Sequence, residues 1–149
     1  MKIKCMGAAR TVTGSCFIIE SGGKRFAIDC GMHQGSAEIE KRNWDLSVYR
    51  PEEIDFFLMT HAHIDHSGLL PRMVRKGFRG RIYATAPTRD LLEIMLLDSA
   101  HIQEMEAQWK SRKRLRFGAD GVDPLYTAKD ALDTLPLFRI IDYRAPFEP

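Results

Sequence analysis

The segment that most constrains the fold joins an apolar run to a cluster of histidines. Residues 54–60, with the sequence IDFFLMT, do not alternate between apolar and polar side chains. A strand with one solvated face shows a polar residue at every second position, so this run predicts a strand covered on both faces, as in an α/β layer structure. A helical pattern begins near Ser67, which places the cluster at the carboxyl end of a strand, where ligands bind in α/β folds.

The cluster has the residue types of a metal site. It reads His61-Ala62-His63-Ile64-Asp65-His66 and holds three of the five histidines of the chain. Imidazole nitrogens and carboxylate oxygens are ligands that Zn²⁺ prefers. His61 and His63, two residues apart on an extended segment, can point to the same side, and Asp65 and His66 can address a second position. We therefore predict that these four residues bind metal, and that a site for two metals needs further ligands from elsewhere.

Three other residues are candidates for the rest of the site. Asp29 ends a predicted strand, where its carboxylate can orient a ligating histidine by accepting the other ring N–H. His33 follows shortly after it, and its role as a ligand or as a structural residue stays open. His101 lies on a predicted long helix beside Ile102, so a place on the helix surface or in the core is favoured over ligation.

The apolar and turn patterns predict an alternation of strands and helices. The sequence Ser21-Gly22-Gly23-Lys24 predicts a hairpin between the second and third strands. Apolar residues of the long helix recur at spacings near three, four and seven, which predicts that they belong to the core: Leu92, Met95, Leu96, Ile102, Met105 and Trp109. Strands are predicted at residues 3–6, 15–20, 25–29, 54–60, 81–85 and 138–143, and helices at residues 67–76, 88–111 and 128–135.

Length and composition limit the class of protein. A chain of 149 residues with 44% hydrophobic and 28% charged residues suits one globular domain. No apolar run approaches the ~20 residues that span a bilayer and no secretory signal opens the chain, so we expect a cytoplasmic protein without a membrane segment. Cys5, Cys16 and Cys30 are too far apart for a disulfide framework or a cysteine-rich zinc site, which favours a role as small buried hydrophobic residues.

Several segments match a known family. The His61-x-His63-x-Asp65-His66 motif, preceded by Ile28-Asp29-Cys30-Gly31 at a strand end, resembles the metallo-β-lactamase superfamily. The similarity runs from Met1 to about Ala107. Five further segments resemble the β-CASP branch of RNA-processing nucleases: Gly7-Ala8-Ala9-Arg10, Val12-Thr13-Gly14-Ser15-Cys16, Asp29-Cys30-Gly31-Met32 with Gln34-Gly35, residues 60–71, and Asp98-Ser99-Ala100.

The resemblance implies an α/β fold, namely the N-terminal half of an αββα sandwich, with a mixed sheet, helices packed on it and a two-zinc site at one edge. It implies that His61 and His63 bind the first zinc ion and that Asp65 and His66 bind the second. Asp29 would support the site by hydrogen bonding, and Asp29 and Asp65 are the expected catalytic carboxylates. The implied reaction is hydrolysis of an RNA phosphodiester by water shared between the metals, in an endonucleolytic or a 5′ exonucleolytic mode.

The resemblance also bears on the extent of the domain. In the family pattern a third ligating histidine, a bridging aspartate, the β-CASP insert and a final histidine all lie later than residue 149. We therefore expect residues 1–149 to form a single incomplete domain. A homodimer that completes the sandwich by exchange is an alternative arrangement.

Two basic runs suggest contact with nucleic acid. Residues 72–81 and 110–116 each hold five basic residues and no acidic one. Basic clusters bind phosphates, but cations also complement the end of a helix. The helix-end interpretation is favoured for residues 72–81, and both interpretations stay open for residues 110–116. Trp109 and Phe117, which flank the second run, can stack on bases, although packing is the favoured role; single-stranded RNA is the expected partner.

Two other functions compete with a ribonuclease. A thioesterase or a lactonase of the same superfamily would use the same metals on a carbonyl group. A non-catalytic RNA-binding subunit is the second alternative, and the intact His61, His63, Asp65 and His66 count against it.

Overall fold

A single mixed sheet organises the structure, a computed structural model that describes residues 1–116 and 119–149. In these residues the sheet has six strands, in the spatial order β1 to β6. β1, β2 and β3 are antiparallel neighbours, and β3 to β6 are parallel. The strands are β1 (Lys2–Cys5), β2 (Phe17–Ser21), β3 (Lys24–Ile28), β4 (Phe56–Leu58), β5 (Arg81–Ala84) and β6 (Phe138–Ile140). The predicted mixed α/β fold is confirmed.

Helices connect the parallel strands. Proline in the first turn favours the starts of α3 and α4, and Thr127 forms a capping box with Asp130 at the start of α5. None of the helices in the described part of the chain is long and apolar enough to cross a membrane. The helices are α1 (Ala37–Glu40), α2 (Ile64–Ser67), α3 (Leu70–Arg75), α4 (Ala86–Leu115) and α5 (Ala128–Thr134), with short 3-10 helices at Lys41–Asn43, Pro51–Glu53 and Leu135–Leu137.

One face of the sheet carries the helices. The strand register places one row of side chains on this face, and all of them are buried in one core with residues of α3, α4 and α5. This row comprises Ile18, Ala27, Phe57, Ile82 and Phe138. α5 contacts both α3 and α4, so the three helices form one layer over the sheet.

The opposite face of the sheet is also apolar but only partly covered. Phe26 stacks on Phe56 with ring centroids 4.8 Å apart, and Phe56 meets Tyr83 edge to face at 5.8 Å. Phe147 packs on Tyr83 from the C-terminal segment. Phe56 and Phe57 point to opposite faces of the sheet and both are buried. The prediction of a strand covered on both faces is therefore confirmed for these two residues of β4.

Several predicted boundaries and burials differ from the structure. The strand predicted at residues 54–60 is paired only at residues 56–58, and the helix predicted at 67–76 is two short helices that begin at Ile64. Cys16 and Cys30 are buried as predicted, and burial raises the pKa of both thiols, but Cys5 is exposed on the edge strand. On α4, Ile102, Met105 and Trp109 are exposed instead of buried in the core.

Candidate metal centre

The parallel pairing of β3 and β4 assembles the site. Ile28 and Leu58 are register partners at the last paired position of these strands, so the residues that follow each strand meet at one edge of the sheet. After a bend at Thr60, the chain is extended at His63, and α2 begins at Ile64. This geometry places Asp29 beside the 60–66 segment, as the sequence predicts.

Asp29 is buried, and its carboxylate accepts the hydrogen bonds that join the parts of the site. Its side chain is 2% exposed and its backbone has φ 59°, in the left-handed region that few residues other than glycine, asparagine and aspartate adopt. The amide and the hydroxyl of Thr60 donate to its carboxylate at 2.8–2.9 Å, and His66 Nδ1 donates at 2.8 Å. These hydrogen bonds hold Thr60 and the His66 ring in place around the carboxylate.

Thr60 links Asp29 to a second histidine ring, that of His61. Its Oγ1 lies 2.9 Å from His61 Nδ1 as well as within hydrogen-bond distance of Asp29. A hydroxyl has one proton, so when it donates to Asp29 it can only accept from His61. His61 and His66 therefore both carry their proton on Nδ1, which leaves both Nε2 atoms free as ligands.

The donor set fits a divalent cation. The ring of His61 lies 4.7 Å from that of His63 and 4.1 Å from that of His66, measured between centroids. His66 Nε2 and Asp65 Oδ2 are 3.7 Å apart, close to the roughly 3.4 Å that separates two ligands of one tetrahedral zinc ion. No three His, Cys, Asp or Glu side chains of residues 1–116 and 119–149 converge on one point, so it is the residue types of the cluster that fit a cation.

Backbone contacts hold the ligand segment in place. The amides of Ser15, Cys30 and Met32 donate to the carbonyls of Asp65, His66 and Ile64, at distances of 2.8, 2.7 and 3.0 Å. A β-carbon on Gly31 would overlap the carbonyl oxygen of Asp65 and lie 2.6 Å from the amide nitrogen of Ser15. Only glycine permits this approach, which explains its place directly after Asp29 and Cys30.

The other two histidines have different surroundings from the cluster. His33 is 1% exposed, its Nε2 lies 3.2 Å from the hydroxyl of Tyr49, and burial lowers its pKa. Its ring fills the space beside Gly7 and Gly14, so the structure gives it a structural role in the 7–14 loop. His101 is exposed on α4, in agreement with the favoured prediction.

The two basic runs differ in exposure. Arg72 is 6% exposed, donates to the carbonyls of Leu125 and Trp44 at 2.8 Å, and lies 4.9 Å from the Trp44 ring centroid. The helix-end interpretation is therefore wrong for Arg72, although Arg79 does donate to the helix-end carbonyl of Val74.

The second run is exposed and carries an exposed aromatic ring. Its basic residues Lys110, Arg112, Lys113, Arg114 and Arg116 all face solvent. Trp109 is 64% exposed, with the Lys113 ammonium 5.7 Å from its ring centroid, so its expected packing role is wrong. Phe117 lies outside the described residues.

The structure thus combines a mixed α/β sheet with a cluster of histidine and carboxylate side chains at one edge. The family model of the metallo-beta-lactamase superfamily matches residues 9–133. The chain therefore belongs to the metallo-beta-lactamase superfamily, whose members bind a divalent metal, typically zinc.

Individual relatives identify the branch. Ribonuclease TTHA0252 of Thermus thermophilus is 46% identical over 104 residues, which cover 70% of this chain and 24% of the relative. Endoribonuclease YSH1 of Gibberella zeae is 32% identical over 144 residues, 93% of this chain and 15% of the relative. These relatives belong to the β-CASP RNA-processing branch, which confirms the branch predicted from the sequence.

The extent of the match is limited. The chain spans about a quarter or less of the length of these curated relatives. Among solved structures, MEM-A1, a subclass B3 metallo-beta-lactamase from a soil metagenome library, is 17% identical with a TM-score of 0.43, over 87% of this chain and 40% of that chain.

Proposed function

We propose that the chain carries part of the active site of a zinc-dependent phosphodiesterase that hydrolyses single-stranded RNA. The observation that carries the proposal is the pair of rings, His61 and His66, whose Nδ1 atoms are both engaged through Asp29 and Thr60. Both rings thus offer Nε2 to a cation, beside His63 and Asp65. The ribonuclease and endoribonuclease names of the relatives support RNA as the substrate.

The family resemblance assigns the metal ligands, and the contacts assign the supporting role of Asp29. His61 and His63 would hold one zinc ion, and Asp65 with His66 would hold a second. When bound, zinc ions supply Lewis-acid stabilisation of a phosphoryl group and lower the pKa of water. Asp29 is a positioning residue, because its carboxylate is buried and occupied by Thr60 and His66. Asp65 is half-buried, and its Oδ2 lies 3.7 Å from His66 Nε2, so it would act through the zinc ion that these two residues hold.

The exposed end of α4 supports a single-stranded partner. Residues 110–116 offer cations to phosphates, and Trp109 offers an aromatic face for a base. Proteins that bind single strands combine these two features. We also propose that the activity is cytoplasmic.

The proposed centre uses more ligands than this motif contains. Residues 61–66 supply at most four, and two four-coordinate zinc ions need more. In the proposal, residues 1–149 form an incomplete domain and other chain segments supply the rest. A homodimer is the alternative source, and the apolar, partly covered sheet face around Phe26 and Tyr83 gives it a physical basis. Monomeric elution in sizing chromatography at high protein concentration would exclude the dimer.

The first experiment measures zinc by elemental analysis after dialysis. Three proteins are compared: the unchanged chain, His63→Ala and the matched control His101→Ala, both of which change an exposed histidine. We expect zinc in the unchanged chain and in the control, and its loss in His63→Ala. Equal zinc in all three proteins, or none in the unchanged chain, contradicts metal binding by the motif in this chain.

The second experiment separates the three functions. Labelled single-stranded RNA, a thioester and a lactone are incubated with the chain, with and without a chelator, and with Asp65→Asn. Cleavage of RNA that is lost with the chelator and with Asp65→Asn supports the proposal. Hydrolysis of the thioester or the lactone without RNA cleavage favours the rival hydrolases, and RNA binding without any hydrolysis favours the non-catalytic subunit.

A further inference from the structure

A cleft of about 450 Å³ lies between α4 and two loops, outside the metal cluster. One wall is α4, with Asp98 and Gln103, and the facing walls hold Trp44 and Asp123. Ile64 also lines the cleft, and it is the first residue of α2, inside the metal-binding motif. The cleft and the candidate metal centre therefore share a border at Ile64.

The ring of Trp44 offers a surface on which a nucleobase can stack. One face of its ring lies on the Arg72 guanidinium, 4.9 Å away, and Arg72 is 6% exposed and held by two carbonyls. The Trp44 side of the molecule nevertheless stays open, because the residue is 47% exposed. The ring is thus held against Arg72, and Trp44 also forms part of the cleft wall. A fixed aromatic face binds a nucleobase with little loss of side-chain freedom.

The opposite wall is also rigid. The hydroxyl of Tyr126 donates to Ser99 Oγ at 2.8 Å, and burial raises the pKa of Tyr126 to about 12, so this proton stays in place. Gln103 donates its amide to the same Ser99 oxygen, and its own Oε1 is buried with no partner in the described residues. Within the Asp98-Ser99-Ala100 motif, Ser99 thus ties the helix to the next loop while Ala100 is buried beneath it.

The charge of the cleft selects for hydrogen-bond donors. Its lining carries four carboxylates, on Glu40, Asp98, Glu106 and Asp123, and one lysine, Lys110, which pairs with Glu106 at 2.9 Å. Phosphate is repelled by this lining. Asp98 is exposed and makes no salt bridge or hydrogen bond among the described residues, so its carboxylate offers acceptors to a base edge that presents N–H groups.

Phosphates find their partners at one end of the cleft. Lys110 is the last α4 residue of the lining, and the exposed cations at residues 112–116 follow it. At 1.5 Å per residue, Arg112 lies about 21 Å along the helix axis from Asp98. The helix therefore offers acceptors for a base near its middle and cations for the backbone near its end.

We propose that this cleft binds a guanine base of single-stranded RNA, stacked on Trp44 with its N–H donors toward Asp98. Guanine is chosen because its pairing edge presents adjacent N–H donors, which a carboxylate accepts. The choice of RNA as the polymer that carries this base rests on the proposed function. It adds a base-specific subsite next to the proposed metal centre.

Tryptophan fluorescence tests the cleft without metal and without hydrolysis. Trp44 and Trp109 are the two tryptophans of the chain, so Trp109→Phe leaves Trp44 as the single reporter. Guanosine, cytidine and ribose 5-phosphate are titrated into this variant. We expect saturable quenching by guanosine, binding about threefold weaker for cytidine, and none by ribose 5-phosphate. The absence of saturable quenching by guanosine, or equal quenching by ribose 5-phosphate, overturns the proposal.

Matched variants assign the quenching to Trp44 and the base preference to Asp98. Trp44→Phe keeps a ring on Arg72 and reports only from Trp109, so guanosine should produce no saturable signal; an unchanged signal overturns the proposal. In the Trp109→Phe background, Asp98→Asn should remove the guanosine preference, whereas Asp90→Asn on the same helix outside the cleft should retain it. Because these titrations need neither zinc nor a phosphodiester, their failure leaves the cleavage assay to judge the proposed function by itself.

Discussion

The strand edge around Asp29 and the long helix α4 are held in opposite ways. At the strand edge, backbone hydrogen bonds join three chain segments, and a buried carboxylate satisfies several donors. α4 buries only one narrow stripe, formed by Leu92, Leu96, Ala100 and Ala107, over thirty residues. The difference indicates that polar contacts, together with the close approach that Gly31 permits, fix the position of the chain segments at the strand edge. The position of α4 depends on the packing of this one stripe of buried side chains.

Gly31→Ala should cause the largest loss of stability. The added methyl group would overlap the Asp65 carbonyl, and backbone atoms on both sides cannot move away cheaply. We expect a loss of about 3 kcal/mol in the free energy of unfolding, measured by urea denaturation. Gly22→Ala is the control, because open space surrounds Gly22 and only its positive φ opposes alanine, at about 1 kcal/mol. Equal losses in the two variants would show that the strand edge is not tightly packed.

Asp29→Asn separates positioning from ligation at the same edge. Asparagine tolerates the left-handed backbone of Asp29 but removes the charge that His66 Nδ1 and Thr60 face. We expect a loss of about 2 kcal/mol in unfolding free energy and a 10- to 100-fold loss of zinc affinity. Asp65→Asn should reduce zinc affinity with little change in stability, since Asp65 is more exposed. The reverse pattern would assign the positioning role to Asp65.

Much of the strand edge is predictable from the sequence because local chemistry fixes it. The unbroken apolar run at residues 54–60 predicts a covered strand, and the histidine spacing then places the ligands at its end. Asp29 is found by the same logic, since a strand end beside the ligands is where a supporting carboxylate belongs. The family resemblance adds the branch, which the relatives confirm.

Other features depend on distant contacts that a pattern does not contain. Thr60 is an ordinary strand residue in the sequence, and only the meeting of β3 and β4 places it between Asp29 and His61. Arg72 belongs to a run of basic residues, yet Trp44 and Leu125 bury it. On α4, apolar spacing predicts burial of Ile102 and Met105, but the buried side of the helix runs through Ala100 and Ala107 and leaves both exposed. The one sequence signal for Thr60 is its place directly before the motif.

Ala100→Leu tests the single packed stripe of α4. Ala100 is fully buried, and the larger side chain has to push α4 away from the core. Overpacking of this kind costs about 2 kcal/mol. Thermal and urea unfolding should both report the loss. Asp98→Leu, two residues away on the exposed side, is the comparison, and it should change stability much less.

His33 should make stability depend on pH near neutrality. Burial lowers its pKa below the ordinary 6.5, so below that pH the unfolded chain binds a proton that the folded chain resists. Stability therefore rises as pH increases through 6.5, by at most about 1.4 kcal/mol per pH unit from this one group. In His33→Gln the slope between pH 5.5 and 7.5 should become shallower. His101→Gln, at an exposed site, should retain the original slope.

Ile94→Gln should have the smallest effect. Ile94 is 67% exposed on α4, and glutamine forms helix at least as well as isoleucine. We expect a change within about 0.5 kcal/mol in unfolding free energy, in contrast to the losses at Gly31 and Asp29. Since the exposed side of α4 makes little contact with the domain, the substitution removes apolar surface without opening a cavity. A loss above 1 kcal/mol, about twice this limit, would show that this side is covered in solution.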